Sequence, residues 1–237
     1  MVGGTWQSAA SDRNAALNLT QIASVLVVLP VFLQAPWVRL HPFSAVLFTA
    51  VLVGTGVVMN RSNNGRQDDL GALLVGFSGS WLAGCLFWGW LRAHPLVHLP
   101  IEAFALPLAL AGLRTRWKLA AGFYLASLIG TACTDLMMAV TGVMKHWPVV
   151  VTAPLGEASA LLHQAGLSLF NPAAAVALIG AAAGLIGVAR RCHEQANQGG
   201  ANAELWSMVG VVLSTTVWVD GLFLAAALLQ PNLSGLI

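Results

Sequence analysis

Charge is what this sequence has least of. Only 8% of its 237 residues are Asp, Glu, Lys or Arg, while 57% are hydrophobic, and mean hydropathy is +0.76. A soluble domain carries about 25% charged residues, so this chain cannot clothe a water-facing surface. The basic and acidic residues nearly cancel, at 11 and 9; that excludes a polyelectrolyte arm and a nucleic-acid partner. Three cysteines cannot all pair and no CxxC is present, which excludes a disulfide scaffold. The two lysines, Lys118 and Lys145, lie far from the last apolar run, so a retinal protein is excluded. P-loop, GxSxG and GxGxxG signatures are absent, and with them the chemistries those motifs carry.

What is present is a series of apolar runs separated by the few charges. They predict an all-α, polytopic transmembrane helix bundle of about seven spans, read as one domain over 1–237. The spans fall near 17–34, 42–59, 70–91, 96–113, 119–144, 171–189 and 205–229. Each is long enough for a hydrocarbon core about 30 Å thick. A further stretch, 158–170, is too short and holds His163 and Gln164; it reads as an interfacial or re-entrant helix. Residues 195–202 read as a polar loop. Seven spans put Arg13, Arg61, Arg66, Arg114, Arg116, Lys118, Arg190 and Arg191 on one side, against Arg39, Arg92 and Lys145 on the other. The eight-to-three split predicts a cytoplasmic N-terminus and a C-terminus on the opposite side. The sparse n-region, Arg13 beside Asp12, and the exit Gln34-Ala35-Pro36 argue against a cleaved signal peptide.

Tryptophans 37, 88, 90 and 147 fall near the outer boundary and 117 and 206 near the inner one. This is the pattern of an interfacial belt, and no other role is expected of them. Gly76, Ser80 and Gly84, and the GxxxG of Gly180 and Gly184, predict close helix packing. Cys85 and Cys133 read as apolar fillers.

Three carboxylates interrupt the spans: Glu102, Asp135 and Asp220. A charge at mid-bilayer costs at least ~2.5–3.5 kcal/mol, and no Lys or Arg lies well inside any span. Each acid must therefore be protonated, face a wet cavity, pair with histidine or bind a cation. All three map to the outer half of the membrane. So do His41, His94, His98, His146 and His163, leaving only His193 inside; desaturase-like oxygenases need many inner-side histidines, and a two-haem core needs them in facing spans. His94, His98 and Glu102 recur every four residues, which on an unbroken helix would share one face. Such a set can relay a proton or hold a metal. Pro95 and Pro100 interrupt it, so a bent entry is expected, with His98 capping a freed carbonyl as the plainer role. Likewise Thr131 is placed to hydrogen-bond Asp135, and Asp220 to make a helix–helix hydrogen bond. Glu157, Asp68, Asp69 and Glu204 precede helices and suit their N-terminal dipoles.

The stretch Leu74–Leu110 carries a resemblance. It contains Leu-Val-Gly-Phe-Ser-Gly-Ser-Trp-Leu-Ala-Gly, then Phe87-Trp88-Gly89-Trp90-Leu91-Arg92, then His94-Pro95-Leu96-Val97-His98-Leu99-Pro100-Ile101-Glu102-Ala103. With Gly130-Thr131-Ala132-Cys133-Thr134-Asp135-Leu136 and the Thr141-Gly142 pair, it resembles a family of cyanobacterial multi-spanning membrane proteins known as a domain of unknown function, number 3120. The resemblance implies a cyanobacterial source and a thylakoid or plasma membrane location. It implies no activity, cofactor or catalytic residue.

The leading expectation is a small transporter or channel for a proton, cation or small solute. Glu102, Asp135, Asp220 and His98 would couple the proton or cation, with His94, His163 and Glu157 as accessory groups. A second is a non-catalytic accessory or assembly subunit of a photosynthetic or respiratory membrane complex, with other membrane subunits, pigment or quinone as partners besides the lipid bilayer. A third is a membrane enzyme acting on a lipid or quinone through His94, His98 and Glu102, though no complete nucleophile–base set is present. No cofactor is named and no metal site is assigned.

Overall fold

Each apolar run becomes a helix, because in lipid a backbone can satisfy its own N–H and C=O groups only within a helix or a closed barrel. A computed structural model describes residues 19–229. Leu17, Asn18 and Arg13, the start of the first predicted span and its flanking charge, lie outside the described residues. Among the described residues, seven helices are long and apolar enough to cross a membrane: α1 Leu19–Leu40, α2 Pro42–Met59, α3 Gly65–Leu91, α4 Pro95–Gly112, α5 Lys118–Val140, α8 Pro172–Asn197 and α9 Ala203–Leu229. Between α5 and α8 lie two short helices, α6 Trp147–Thr152 and α7 Leu155–Leu167. All described secondary structure is helical, and the chain is a helical bundle.

One helix is the pillar. Of α3's most apolar window 61% is buried, against 11–22% for the other six spans, so the rest expose most of their apolar surface outward, as lipid contact requires. Trp81 on α3 packs with Trp37, Phe48 and Phe77 at ring-centroid distances of 5.8, 5.5 and 5.6 Å. Its indole N–H donates to Ala45 O at 2.9 Å. Small residues let α3's neighbours approach. A Cβ on Gly71 would lie 2.5 Å from Gly56 O on α2, and one on Gly76 would collide with the Ala120 backbone of α5. The expected packing role of Gly76, Ser80 and Gly84 is thus realised for both glycines: Gly84 lies against Gln34 of α1. The GxxxG of α8 does otherwise. Gly180 and Gly184 meet nothing within 4 Å, because α8 packs on α9 through another face.

Several boundaries move. α1 continues past Gln34 to Leu40: Pro30 opens a π-helical turn, Pro30–Gln34, and Pro36 sits in the first turn of the α-helical segment that follows, where a missing N–H costs little. α8 runs two turns beyond Ala189, through Arg190, Arg191, His193 and Glu194, to Asn197. The expected polar loop therefore starts only at Gln198, because good helix formers carry the helix past its apolar part. α5 stops at Val140, where Gly142 adopts the left-handed φ of 76° that glycine tolerates at no steric cost. The 158–170 stretch forms α7 plus a 3₁₀ turn, Ser168–Phe170. At 13 residues α7 is about 20 Å long, short of a crossing. It packs on the end of α9, with His163 Nδ1 3.0 Å from Ala227 O.

The tryptophans are not merely a belt. Trp37 lies in the aromatic core. Trp88 and Trp147 meet edge to face at 5.7 Å, and Trp147 donates to Arg92 O at 2.9 Å.

Candidate functional site

Three helices lose their regular geometry at one place. α1 has its π turn at Pro30–Gln34, α3 ends in a π turn at Phe87–Leu91, and α4 starts as a 3₁₀ turn, Pro95–Val97, followed by the short helix His98–Glu102. Pro30, Val31 and Gln34, Phe87 and Trp88, and Pro95, His98 and Glu102 all line a single cavity of about 290 Å³. Such departures from the i→i−4 ladder concentrate at functional sites.

α4 breaks at Ala103–Ala105. Pro107 has no N–H to offer Ala103 O, and the N–H of Leu106 goes to Ala103 O instead, at 3.0 Å. That leaves Glu102 O unclaimed by the helix. Tyr124, the only tyrosine in the chain, fills the gap from α5: its hydroxyl donates to Glu102 O and accepts the N–H of Ala105 at 3.1 Å. The break is thereby satisfied internally, as a buried backbone must be.

Held this way, the short helix presents His98 and Glu102 to α5. His98 Nδ1 lies 3.1 Å from both Asp135 oxygens, within hydrogen-bond reach of either. Nε2 then faces Glu102, 3.9 Å from Oε1. That is too long for a direct hydrogen bond and leaves room for a bridging group. Phe87 lies against the imidazole at 4.1 Å between centroids and 31° between planes, fixing the ring's orientation. Asp220, on α9, accepts the Thr134 hydroxyl at 2.6 Å. Glu102, Asp135, Asp220 and His98 all line the same cavity, and no Lys or Arg does.

Some sequence expectations are corrected here. His98 caps no carbonyl: a carboxylate on α5 reaches it first. Thr131 is not Asp135's partner, although it lines the cavity. Asp220 makes the expected helix–helix bond, to Thr134. His94 is separated from His98 and Glu102: its backbone lies outside the helix at φ −119°, ψ 74°, ahead of Pro95, and the side chain is exposed. His163 is spent on Ala227 O, and Glu157 is exposed in the first turn of α7, where its charge suits the helix dipole. Neither lines the cavity. Among the described residues no group of three or more His, Cys, Asp or Glu is placed to hold a metal ion.

Sequence reasoning passed over Gln34, Phe87 and Tyr124. A glutamine and a lone tyrosine within apolar runs were the available signals. Gln34 is fully buried: its Nε2 donates to Trp81 O and to Cys85 Sγ, while Oε1 has no partner.

A second cavity, of about 320 Å³, adjoins the first. Its walls come from α5, α6, α7, α8 and α9 and include Met137, Leu162, Leu178 and Leu185. Thr134, Met138, Trp147, Asp220 and Phe223 belong to both walls.

The fold and this cavity define a polytopic helical membrane protein with a buried acid–histidine site. The chain belongs to the family described as "Protein of unknown function (DUF3120)", which it matches over residues 23–228. No curated relative and no solved structure matches it.

Proposed function

We propose that the protein is a small transporter that couples solute movement to a proton or cation at the His98–Asp135–Glu102 cluster, assisted by Asp220. The observation that carries the proposal is the single cavity whose wall holds Glu102, Asp135 and Asp220 together with His98 and contains no Lys or Arg. Isolated carboxylates in a low-dielectric interior are tolerated only when protonated or when a cation reaches them. A cavity able to exchange one condition for the other is a coupling device.

The geometry supplies a route. The tautomer with Nδ1 protonated donates to Asp135, 3.1 Å away, which orients the ring and leaves Nε2 free to face Glu102. A proton on Glu102 and a proton on Nε2 are then alternative states of one pair, separated by a gap that a small bridging group closes. The discontinuous α4 is the kind of helix that builds substrate sites near the bilayer midplane. The eight-to-three charge split supports a cytoplasmic N-terminus.

The test is flux in proteoliposomes loaded with a pH-sensitive dye. Wild type is expected to move protons together with a cationic solute across an imposed gradient. Glu102→Gln and Asp135→Asn, each folded and reconstituted to the same density, should abolish that movement. Undiminished flux in both variants overturns the proposal.

A further inference from the structure

We infer that the cavity's ligand is a small organic ammonium ion, a protonated amine carrying N–H donors, and not a bare metal cation. The inference rests on the transport reading for its biological use but not for its chemistry, which is set by the wall.

Gln34 supplies the observation independent of the acids. Its amide is fully buried, and both partners of Nε2, Trp81 O and Cys85 Sγ, belong to residues outside the cavity wall. A carbonyl can receive only a donor, so the NH₂ end is fixed there. Oε1 lies over Gly84, on the same helix as Trp81 and Cys85, 2.6 Å from where a Cβ would stand. Gln34 and Gly84 both line the cavity, and Oε1 finds no donor. Ser80 Oγ, in the same wall, is also buried without a partner. Buried polar atoms without partners are rare and costly, and here they sit in a wall that already holds three carboxylates. Gln34 Oε1 and the ionised carboxylates can only accept, so they call for a donor.

Size and surface narrow the class. The volume of about 290 Å³ stands at the foot of the ~300–1,000 Å³ range of small-molecule sites and far exceeds a single ion. Metal-ligating geometry is absent among the described residues. Phe77, Phe87, Trp88, Phe123, Trp147 and Phe223 are among the apolar residues of the wall. Aromatic faces attract cations that have shed water, and they accept an alkyl tail that a hydrated metal ion lacks. An alkylammonium meets each requirement: its charge matches the carboxylates, its N–H groups suit Gln34 Oε1 and Ser80 Oγ, and its carbons suit the aromatic wall.

The experiment is calorimetric titration of the full-length protein in detergent with n-propylammonium chloride. Sodium butyrate and 1-propanol serve as the anionic and neutral counterparts of similar size. Saturable binding of propylammonium, none of butyrate or 1-propanol, and no competition from sodium or potassium at equal concentration is expected. Gln34→Leu should weaken propylammonium binding about tenfold, as loss of one hydrogen bond to a charged group does. Ser80→Ala leaves Gln34's bonds to Trp81 and Cys85 intact and should weaken it several-fold, which decides the matter if Gln34→Leu does not fold. Absence of propylammonium binding, or equal binding of sodium, overturns the inference. Binding without flux in proteoliposomes sinks the transport reading and leaves this one standing; proton flux with no amine binding does the reverse.

Discussion

Two cavities of almost the same size lie side by side in this bundle, about 290 and 320 Å³, and beyond the five residues they share their walls differ in polarity. The first is bounded by helices at their irregular turns and holds His98 with all three intramembrane acids. The second is bounded largely by Leu, Met, Ala and Val side chains and shares only the Thr134–Asp220 edge as its acidic feature. Volume alone therefore does not mark a site; convergent polar groups on interrupted helices do.

The sharpest way to break this contrast is to disarm each cavity in turn. Asp135→Asn should abolish proton-driven uptake in proteoliposomes, whereas Met137→Ala, in the apolar wall alone, should leave the rate within about twofold. Equal losses from the two would erase the distinction. Next in size is the strap at the α4 break. Tyr124→Phe leaves Glu102 O and Ala105 N unpaired and should destabilise the detergent-solubilised protein by ~1–3 kcal/mol, read as a lower midpoint of thermal unfolding. An unchanged midpoint would show that water replaces the hydroxyl. At the edge shared by the cavities, Thr134→Val removes the donor to Asp220. Interhelical hydrogen bonds in membranes average about 0.6 kcal/mol, so a small drop in stability is expected, far below the Tyr124 effect. Smallest of all is Gly180→Ala, whose Cβ would meet nothing. It should be neutral in stability, while Gly84→Ala, which crowds Gln34 Oε1, should lower uptake; a large effect at Gly180 would place another surface on α8.

The spans were legible because a charge in a hydrocarbon core is costly, so the few charges of this chain mark the ends of its crossings. That logic weakens where helix and membrane part company. α8 runs on through Arg190 and Arg191 to Asn197, since hydrogen bonding along a helix does not depend on lipid. α1 passes Pro30 and Pro36 because a π turn absorbs the first and a new first turn the second. The acids were legible as a set for the same reason as the spans. Their arrangement was not. His98 and Asp135 are 37 residues apart, and which faces of α4 and α5 meet depends on helix rotation, which a uniformly apolar run encodes poorly. The i, i+4 spacing gave His98 with Glu102 correctly but extended one turn too far, to His94, across Pro95. Trp88 and Trp147 were given to the interface because depth, the only coordinate a sequence offers for them, does not say which way a ring points. The Gly180–Gly184 motif names a surface able to pack closely and does not say that a partner is there.

The Tyr124 hydroxyl has a mechanical consequence. It clasps both ends of the fracture in α4, Glu102 O and Ala105 N, from a helix that also carries Asp135 three turns further on. Neither half of α4 can swing alone without stranding a peptide group in oil. The break in α4 and the His98–Asp135 pair are thus tied to the same helix, α5, through one phenol oxygen and one carboxylate.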